Sequence, residues 1–178
     1  MAHIFDGDFS LLECDKRKNI LPAKEILEKI GIREGDIVID YGAGIGYFAI
    51  PALDYVGEKG KVIAVDLSSD MITELKKRAG DLPNLKVING DMLPEERADV
   101  ILLVNVLHEL VSPGEFLKQC FAHLLPHGRV IIIDWQKKET DMGPPVDHRT
   151  SREEVIVLAK RKPIEHKIHR FLYFLEFR

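Results

Sequence analysis

Apolar positions along the chain recur with two alternating periods. Short runs that are apolar throughout give way to segments with a single apolar face at helical spacing, and the alternation repeats. A run that is apolar on both sides suits a strand covered on both faces. The strand-then-helix repetition therefore predicts a parallel sheet with helices on both faces. A first helix follows Pro22, with Ala23, Ile26, Leu27 and Ile30 on one face and Gly31 and Gly35 closing it. Residues 37–41 form a short buried strand that opens onto a glycine-rich turn. A helix is expected from about Tyr47, with Pro51 near its first turn, where a proline is tolerated.

The second strand is 61–66. Ser68 or Ser69 caps the next helix, lined by Met71, Ile72, Leu75 and Ala79 and ended by Gly80. Residues 85–89 make the third strand, followed by the turn Gly90-Asp91, and 99–104 make the fourth. Ser112-Pro113-Gly114-Glu115 has the spacing of a capping box with proline at the first helical position. Phe116, Leu117, Cys120, Phe121 and Leu124 then share one face, and Pro126-His127-Gly128 turns the chain into a fifth strand at 130–134. No period is visible from 135 to 150, where Gly143-Pro144-Pro145 breaks any helix; a loop this long in a compact domain is often functional. Ser151 and Glu154 form a second capping box before a helix running through Lys160. Strand-like runs follow at 164–168 and 172–177, the latter apolar on both faces and so expected inside the sheet.

Composition narrows this further. The 178 residues are 46% hydrophobic with neither repeat nor linker, which predicts a single domain over 1–178. A net charge of −4 provides no field for a nucleic-acid backbone, so no nucleic-acid partner is expected. Cys14 and Cys120 lack metal-site spacing, and neither a disulfide framework nor a metal is expected. No stretch has the form of a signal peptide or the length of a membrane span, which predicts a cytoplasmic protein with no membrane insertion.

The candidate chemistry begins at Asp40-Tyr41-Gly42-Ala43-Gly44-Ile45-Gly46. A glycine turn between strand and helix presents backbone N–H groups to a ligand, and a missing Cβ allows close approach. Dinucleotide-binding turns read G-x-G-x-x-G, but here Tyr47 stands at the third glycine's place. Asp40 at the strand end would repel a pyrophosphate and suit a ligand carrying ammonium and sulfonium charge. Asp66 ends the second strand, where a carboxylate can accept from ribose hydroxyls, with a helix-capping role as the alternative. Asp91 follows the third strand. All three carboxylates fall at the carboxyl ends of parallel strands, the edge where open α/β sheets bind ligands.

With these residues the chain resembles the class I S-adenosylmethionine-dependent methyltransferases from about Pro22 to Arg178. The resemblance rests on 38–46, on Val65-Asp66-Leu67-Ser68, on Gly90-Asp91-Met92, on 98–110 and on 125–129. More narrowly the chain is similar to small methyltransferases grouped with quinone-ring methylases, including the Gly143-Pro144-Pro145 loop before a Glu-Glu helix. The resemblance implies a Rossmann-like, seven-stranded, mostly parallel sheet of order 3-2-1-4-5-7-6 whose last strand is antiparallel. It also implies site roles. The backbone of Gly42, Gly44 and Gly46 would hold the methionine part, with Asp40 near its amino group. Asp66 would take the ribose hydroxyls, Leu67 and Met92 the adenine faces, and Asp91 with Gly90 the adenine amino group. Asn105 would lie by the methionyl portion.

Methyl transfer needs alignment and a dry site, and a base only if the acceptor loses a proton. His108 is a candidate base, with a structural role as the alternative. His148 and Arg149 are candidates to orient an anionic acceptor, or are surface residues. Trp135 either stacks on the acceptor or packs in the core. There is no Asn/Asp-Pro-Pro-Tyr/Phe motif after the fourth strand, which reads Asn105-Val106-Leu107-His108, so a small-molecule acceptor is expected. Residues 1–21 and 135–150 are left to form its lid. A non-catalytic module binding S-adenosylmethionine is the alternative. A nicotinamide-dependent oxidoreductase is disfavoured by the glycine spacing and by Asp40.

Overall fold

A computed structural model of the protein describes residues 14–178. In chain order its elements are α1 (Asp15–Ile20), α2 (Ala23–Ile30), β1 (Ile37–Tyr41), α3 (Ala49–Val56), β2 (Lys61–Asp66), α4 (Ser69–Ala79), β3 (Leu85–Asn89), β4 (Ala98–Val104), α5 (Pro113–Ala122), β5 (Leu124–Trp135), α6 (Arg152–Ala159), β6 (Ile164–Glu165) and β7 (Leu172–Phe177). One seven-stranded sheet runs β3-β2-β1-β4-β5-β7-β6. Strands β1 to β5 pair in parallel, and β7 lies antiparallel between β5 and β6, as the resemblance implied.

Each central strand feeds two cores, because successive side chains point to opposite faces. Val38, Val62, Ala64, Ile131 and Ile133 pack towards α2 and α3. Ile39, Ile63, Val65, Val130 and Ile132 pack towards α5 and α6, whose Leu117, Cys120, Val155 and Ala159 meet them. Cys120 is fully buried, and burial pushes its thiol up to about 12, so it remains an inert packing group.

The structure departs from the sequence expectations in four places. Helix α3 starts at Ala49, two residues later than Tyr47, and Pro51 sits in its first turn, where no intrahelical N–H is lost. Ser112 makes no side-chain cap to α5, because its backbone (φ −133, ψ 69) does not direct the hydroxyl at the helix; Glu115 turns to Lys118 instead. Ser151, in extended backbone, does form its reciprocal box: it accepts from the Glu154 N–H at 3.2 Å, and the Glu154 carboxylate accepts from the Ser151 N–H at 2.6 Å. Strand β5 extends back to Leu124, and the Pro126-His127-Gly128 turn is absorbed as a bulge: Ala98 faces Leu124 while Val100 faces Arg129, with His127 at φ 68. Strand β6 shrinks to two residues, since the chain turns at Arg170 and Phe171 to enter β7.

Candidate active site

The glycine turn leaves β1 at the carboxyl edge of the sheet. Gly42, Gly44 and Gly46 all hold positive φ, at 75°, 54° and 89°. Their surroundings separate them. A Cβ on Gly42 would lie 2.5 Å from Cγ2 of Val106, and one on Gly46 would lie 2.8 Å from Cδ1 of Ile50 and 3.1 Å from Leu75. These two glycines serve the packing of protein against protein. Gly44 faces open space, its nearest neighbour being the Met71 sulfur at 3.9 Å, and it alone leaves the backbone bare towards a ligand. In this fold Gly46, not a residue one place later, allows the tight helix contact that a dinucleotide turn obtains from its third glycine.

Asp40 is 2% exposed, and its Oδ2 is buried without a hydrogen-bond partner. Burial, reinforced by the charge of Asp66 and opposed by the Ala49 N–H, pushes the carboxyl up to about 7. Asn105 follows β4, with a left-handed φ of 54° and an N–H donated to the Ile133 carbonyl at 2.7 Å. Its Oδ1 is also buried and unpartnered. Two orphaned acceptors flanking one turn are unusual, because native interiors pair nearly all such atoms. Each retains an unused capacity to accept a hydrogen bond.

Asp66 is not the cap of α4; its carboxylate braces the backbone on either side of the edge. Its Oδ2 accepts from the Gly44 N–H at 2.7 Å and its Oδ1 from the Ser68 N–H at 2.9 Å. The carboxylate thereby ties the glycine turn to the end of β2 while keeping further lone pairs for a ligand. Ser68 is the α4 cap, accepting from the Met71 N–H at 3.4 Å. Beyond Asp66 the edge opens: Leu67 and Met92 are 43% and 77% exposed, Asp91 is exposed alongside them and Gly90 is half-buried. The Tyr41 hydroxyl donates to the Asp91 carbonyl at 2.7 Å, and the Asn89 amide spans the Asp66 and Leu67 carbonyls at 3.0 and 2.9 Å. Leu67 and Met92 thus leave two apolar side chains exposed beside a braced stretch of backbone.

Across the sheet, the ends of β4 and β5 carry a second constellation. His108 Nδ1 lies 2.8 Å from Asp134 Oδ1, which also accepts from the Trp135 N–H at 2.8 Å; Oδ2 accepts from the His108 N–H at 3.4 Å. Burial opposes charge on the imidazole, but the Asp134 carboxylate outweighs it and holds the pKa above its ordinary value. This contact fixes the tautomer with Nδ1 protonated, leaving Nε2 as the basic nitrogen, 3.9 Å from a Glu109 carboxylate oxygen. Glu109 is itself pushed up to about 7 by burial, with His108 opposing and Asp134 and Asp66 adding. Asp134 and Glu109 were not singled out in the sequence. The rule that drew attention to Asp40 and Asp66, a carboxylate ending a parallel strand, also describes Asp134.

The 135–150 loop is ordered by one side chain. Arg149 is 3% exposed and donates to the carbonyls of Pro144, Gln136, Lys138 and Met142 and to the Thr140 hydroxyl. Its guanidinium lies 5.4 Å from the Trp135 ring centre, and Gly143 packs so closely that a Cβ would meet that indole at 2.7 Å. Arg149 is thus a structural knot and not an exposed group waiting for an anion, while Trp135 packs in the core. No group of metal-binding side chains occurs among the described residues, and no helix there is long and apolar enough to cross a membrane.

Known proteins agree with this geometry. A family model for a methyltransferase domain matches residues 32–173. A ribosomal RNA small subunit methyltransferase of Arabidopsis thaliana is 39% identical over 105 residues, which cover 56% of this chain and 28% of that protein. A ubiquinone/menaquinone biosynthesis C-methyltransferase of Francisella philomiragia is 28% identical over 144 residues, 77% of this chain and 58% of that one. The chain spans about half the length, or less, of these curated relatives. The crystal structure of an S-adenosylmethionine-dependent methyltransferase from Aquifex aeolicus superposes with a TM-score of 0.85 at 27% identity, covering 95% of both chains. The matched span includes the glycine turn, the strand-end carboxylates and the His108–Asp134 pair, and the chain belongs to the S-adenosylmethionine-dependent methyltransferases.

Proposed function

We propose that the chain transfers a methyl group from S-adenosylmethionine to a small-molecule acceptor. The donor lies along Asp40, Gly42, Gly44, Gly46, Asp66, Leu67, Gly90, Asp91, Met92 and Asn105. The orphaned oxygens of Asp40 and Asn105 carry the assignment, because they fit the donor's ammonium group. The bare backbone at Gly44 admits the methionyl chain, Asp66 accepts from the ribose, and Leu67 and Met92 cover the adenine. When bound, the cofactor supplies the methyl group and its reactivity.

The chain's own residues align the acceptor, exclude water and handle any proton. His108, oriented by Asp134, takes a proton at Nε2 where the acceptor must lose one. Two observations support a lid made from α1 and the 135–150 loop. Lys16 and Asp141 meet at 2.6 Å, and the Tyr47 hydroxyl donates to the Leu21 carbonyl at 2.7 Å, which brings the end of α1 against the glycine turn. The expected lid also takes in residues 1–13, which lie outside the described residues.

The acceptor class rests on charge. Asp66 and Asp91 stand at the open strand ends, which disfavours a phosphate backbone there and admits a neutral or cationic small molecule. The test is incubation with methyl-labelled S-adenosylmethionine and, separately, a deproteinised small-molecule extract and purified ribosomal RNA. Label in the small-molecule fraction is expected. Label only in RNA overturns the acceptor class.

A further inference from the structure

Among the described residues, four side-chain atoms are buried without a hydrogen-bond partner: Arg17 Nε, Asp40 Oδ2, Glu96 Oε2 and Asn105 Oδ1. Glu96 stands apart, before β4, and its other oxygen holds Lys86 at 2.7 Å. The remaining three border the glycine turn. Asp40 immediately precedes it. Asn105 precedes Val106, whose side chain packs against Gly42. Arg17, in α1, holds its guanidinium 5.6 Å from the ring centre of Tyr47, the residue that follows Gly46.

The polarity of the three is complementary. Two are acceptors and one is a cationic donor, the pattern that recognises an α-amino acid zwitterion. We infer that Arg17 binds the α-carboxylate of the cofactor's methionyl group, opposite the ammonium subsite of Asp40 and Asn105. This rests on the cofactor placement proposed above and adds the anion-binding half of the site.

Arg17 is well suited to that task and poorly explained without it. No carboxylate pairs with it among the described residues, and burial lowers its pKa, opposed by Tyr47 and Cys14. Stacking on Tyr47 occupies one face of the guanidinium and leaves its in-plane N–H groups for a planar carboxylate. The helix that carries Arg17 is also held in place. The Arg17 carbonyl accepts from the Leu21 N–H at 2.8 Å, and the Leu21 carbonyl accepts from the Tyr47 hydroxyl, so α1 is locked over the end of the turn. A carboxylate arriving there would meet an oriented, partly desolvated fork, where a charged hydrogen bond is strong.

The test is titration calorimetry of the full chain and of Arg17→Met and Arg17→Lys. The ligands are S-adenosylhomocysteine, S-adenosylmethionine and decarboxylated S-adenosylmethionine, which keeps the ammonium and lacks the carboxylate. The expected result is a loss of more than about tenfold in affinity for the two carboxylate ligands in Arg17→Met, partly restored in Arg17→Lys. Affinity for the decarboxylated ligand changes less than about twofold, since no partner is lost. Thermal unfolding of ligand-free Arg17→Met is expected at or above the wild-type temperature, because an unpaired buried cation has been removed. Equal losses for all three ligands would make Arg17 a packing residue and overturn the inference, as would no loss for any. Failure of the wild-type chain to bind any of the three sinks the cofactor placement itself, a separate outcome.

Discussion

The two halves of the carboxyl edge are built by different means. On the β1–β2 side, the site is mostly backbone: a glycine turn, strand ends, and Asp66 reaching 22 residues back to the Gly44 N–H. On the β4–β5 side it is made of side chains that meet across the fold: His108 with Asp134, and Arg149 drawing four carbonyls and a hydroxyl of a 16-residue stretch around itself. The first half is made mostly of groups that every residue carries, and its turn N–H groups are held by Val65, Asp66 and Ala43. The second half is free to vary with the acceptor, because its geometry depends on a few replaceable side chains.

Substitutions that strike one half and spare the other test this contrast. The largest effect is expected at Arg149. Arg149→Met strands several carbonyls and should lower stability by about 3–5 kcal/mol, the range for breaking a buried charged network. Urea denaturation measures this, and S-adenosylhomocysteine affinity should stay within about twofold if the halves are independent. Gly42→Ala drives a Cβ into Val106 at positive φ and should cost about 2–4 kcal/mol through overpacking and backbone strain. Gly44→Ala meets no such obstacle. It should cost only about 1 kcal/mol in stability while weakening cofactor binding by more than tenfold, and the reverse ranking would contradict the division of the glycines.

Asp66→Ala comes next. Because the carboxylate holds two backbone N–H groups, the loss is expected in both readouts: about 1–3 kcal/mol of stability and a weaker cofactor complex. A fold left fully intact, the simpler expectation from a residue that touches only ligand, would contradict these contacts.

Smaller effects follow pH. The folded pKa of Asp40 is raised from 3.8 to about 7, so the native state holds an extra proton between those values and stability falls as pH rises through that window. Glu109, likewise pushed up to about 7, contributes with the same sign. Asp40→Asn should therefore flatten part of the slope. An ammonium ligand favours the ionised carboxylate, so cofactor affinity should rise with pH up to about 7, by at most about tenfold per unit, and lose most of that dependence in Asp40→Asn. His108 acts with the same sign. Its raised pKa adds stability at low pH that is lost as pH climbs through the folded value. Asp134→Asn should lower the His108 titration midpoint followed by NMR with little change in S-adenosylhomocysteine affinity; an unmoved midpoint would show that Asp134 does not control the imidazole.

Much of the molecule was legible in advance because its signals are local. Strand order followed from the family pattern that the glycine turn and Asp66 identify, and apolar runs such as 99–104 mark central strands regardless of context. The helix at 152 was readable because its cap is a contact between residues three apart. The same four-residue pattern at Ser112 gave a false cap, since the hydroxyl's aim depends on how the preceding loop delivers the backbone.

Sequence alone determined the βα alternation, the carboxylates at the ends of β1 and β2, and the absence of a dinucleotide glycine spacing. These are properties of period and position, which short-range geometry imposes on any chain. Only the tertiary structure decided that Gly42 and Gly46 serve packing while Gly44 faces open space, that Arg149 is buried as a loop organiser, that Asp134 holds His108, and that Arg17 from α1 lies over the ring of Tyr47 beside the glycine turn. Each of these is a question of which distant atoms fill the space beside a residue. Burial and hydrogen-bond partnership are set by the packed neighbourhood, and no spacing along the chain encodes it.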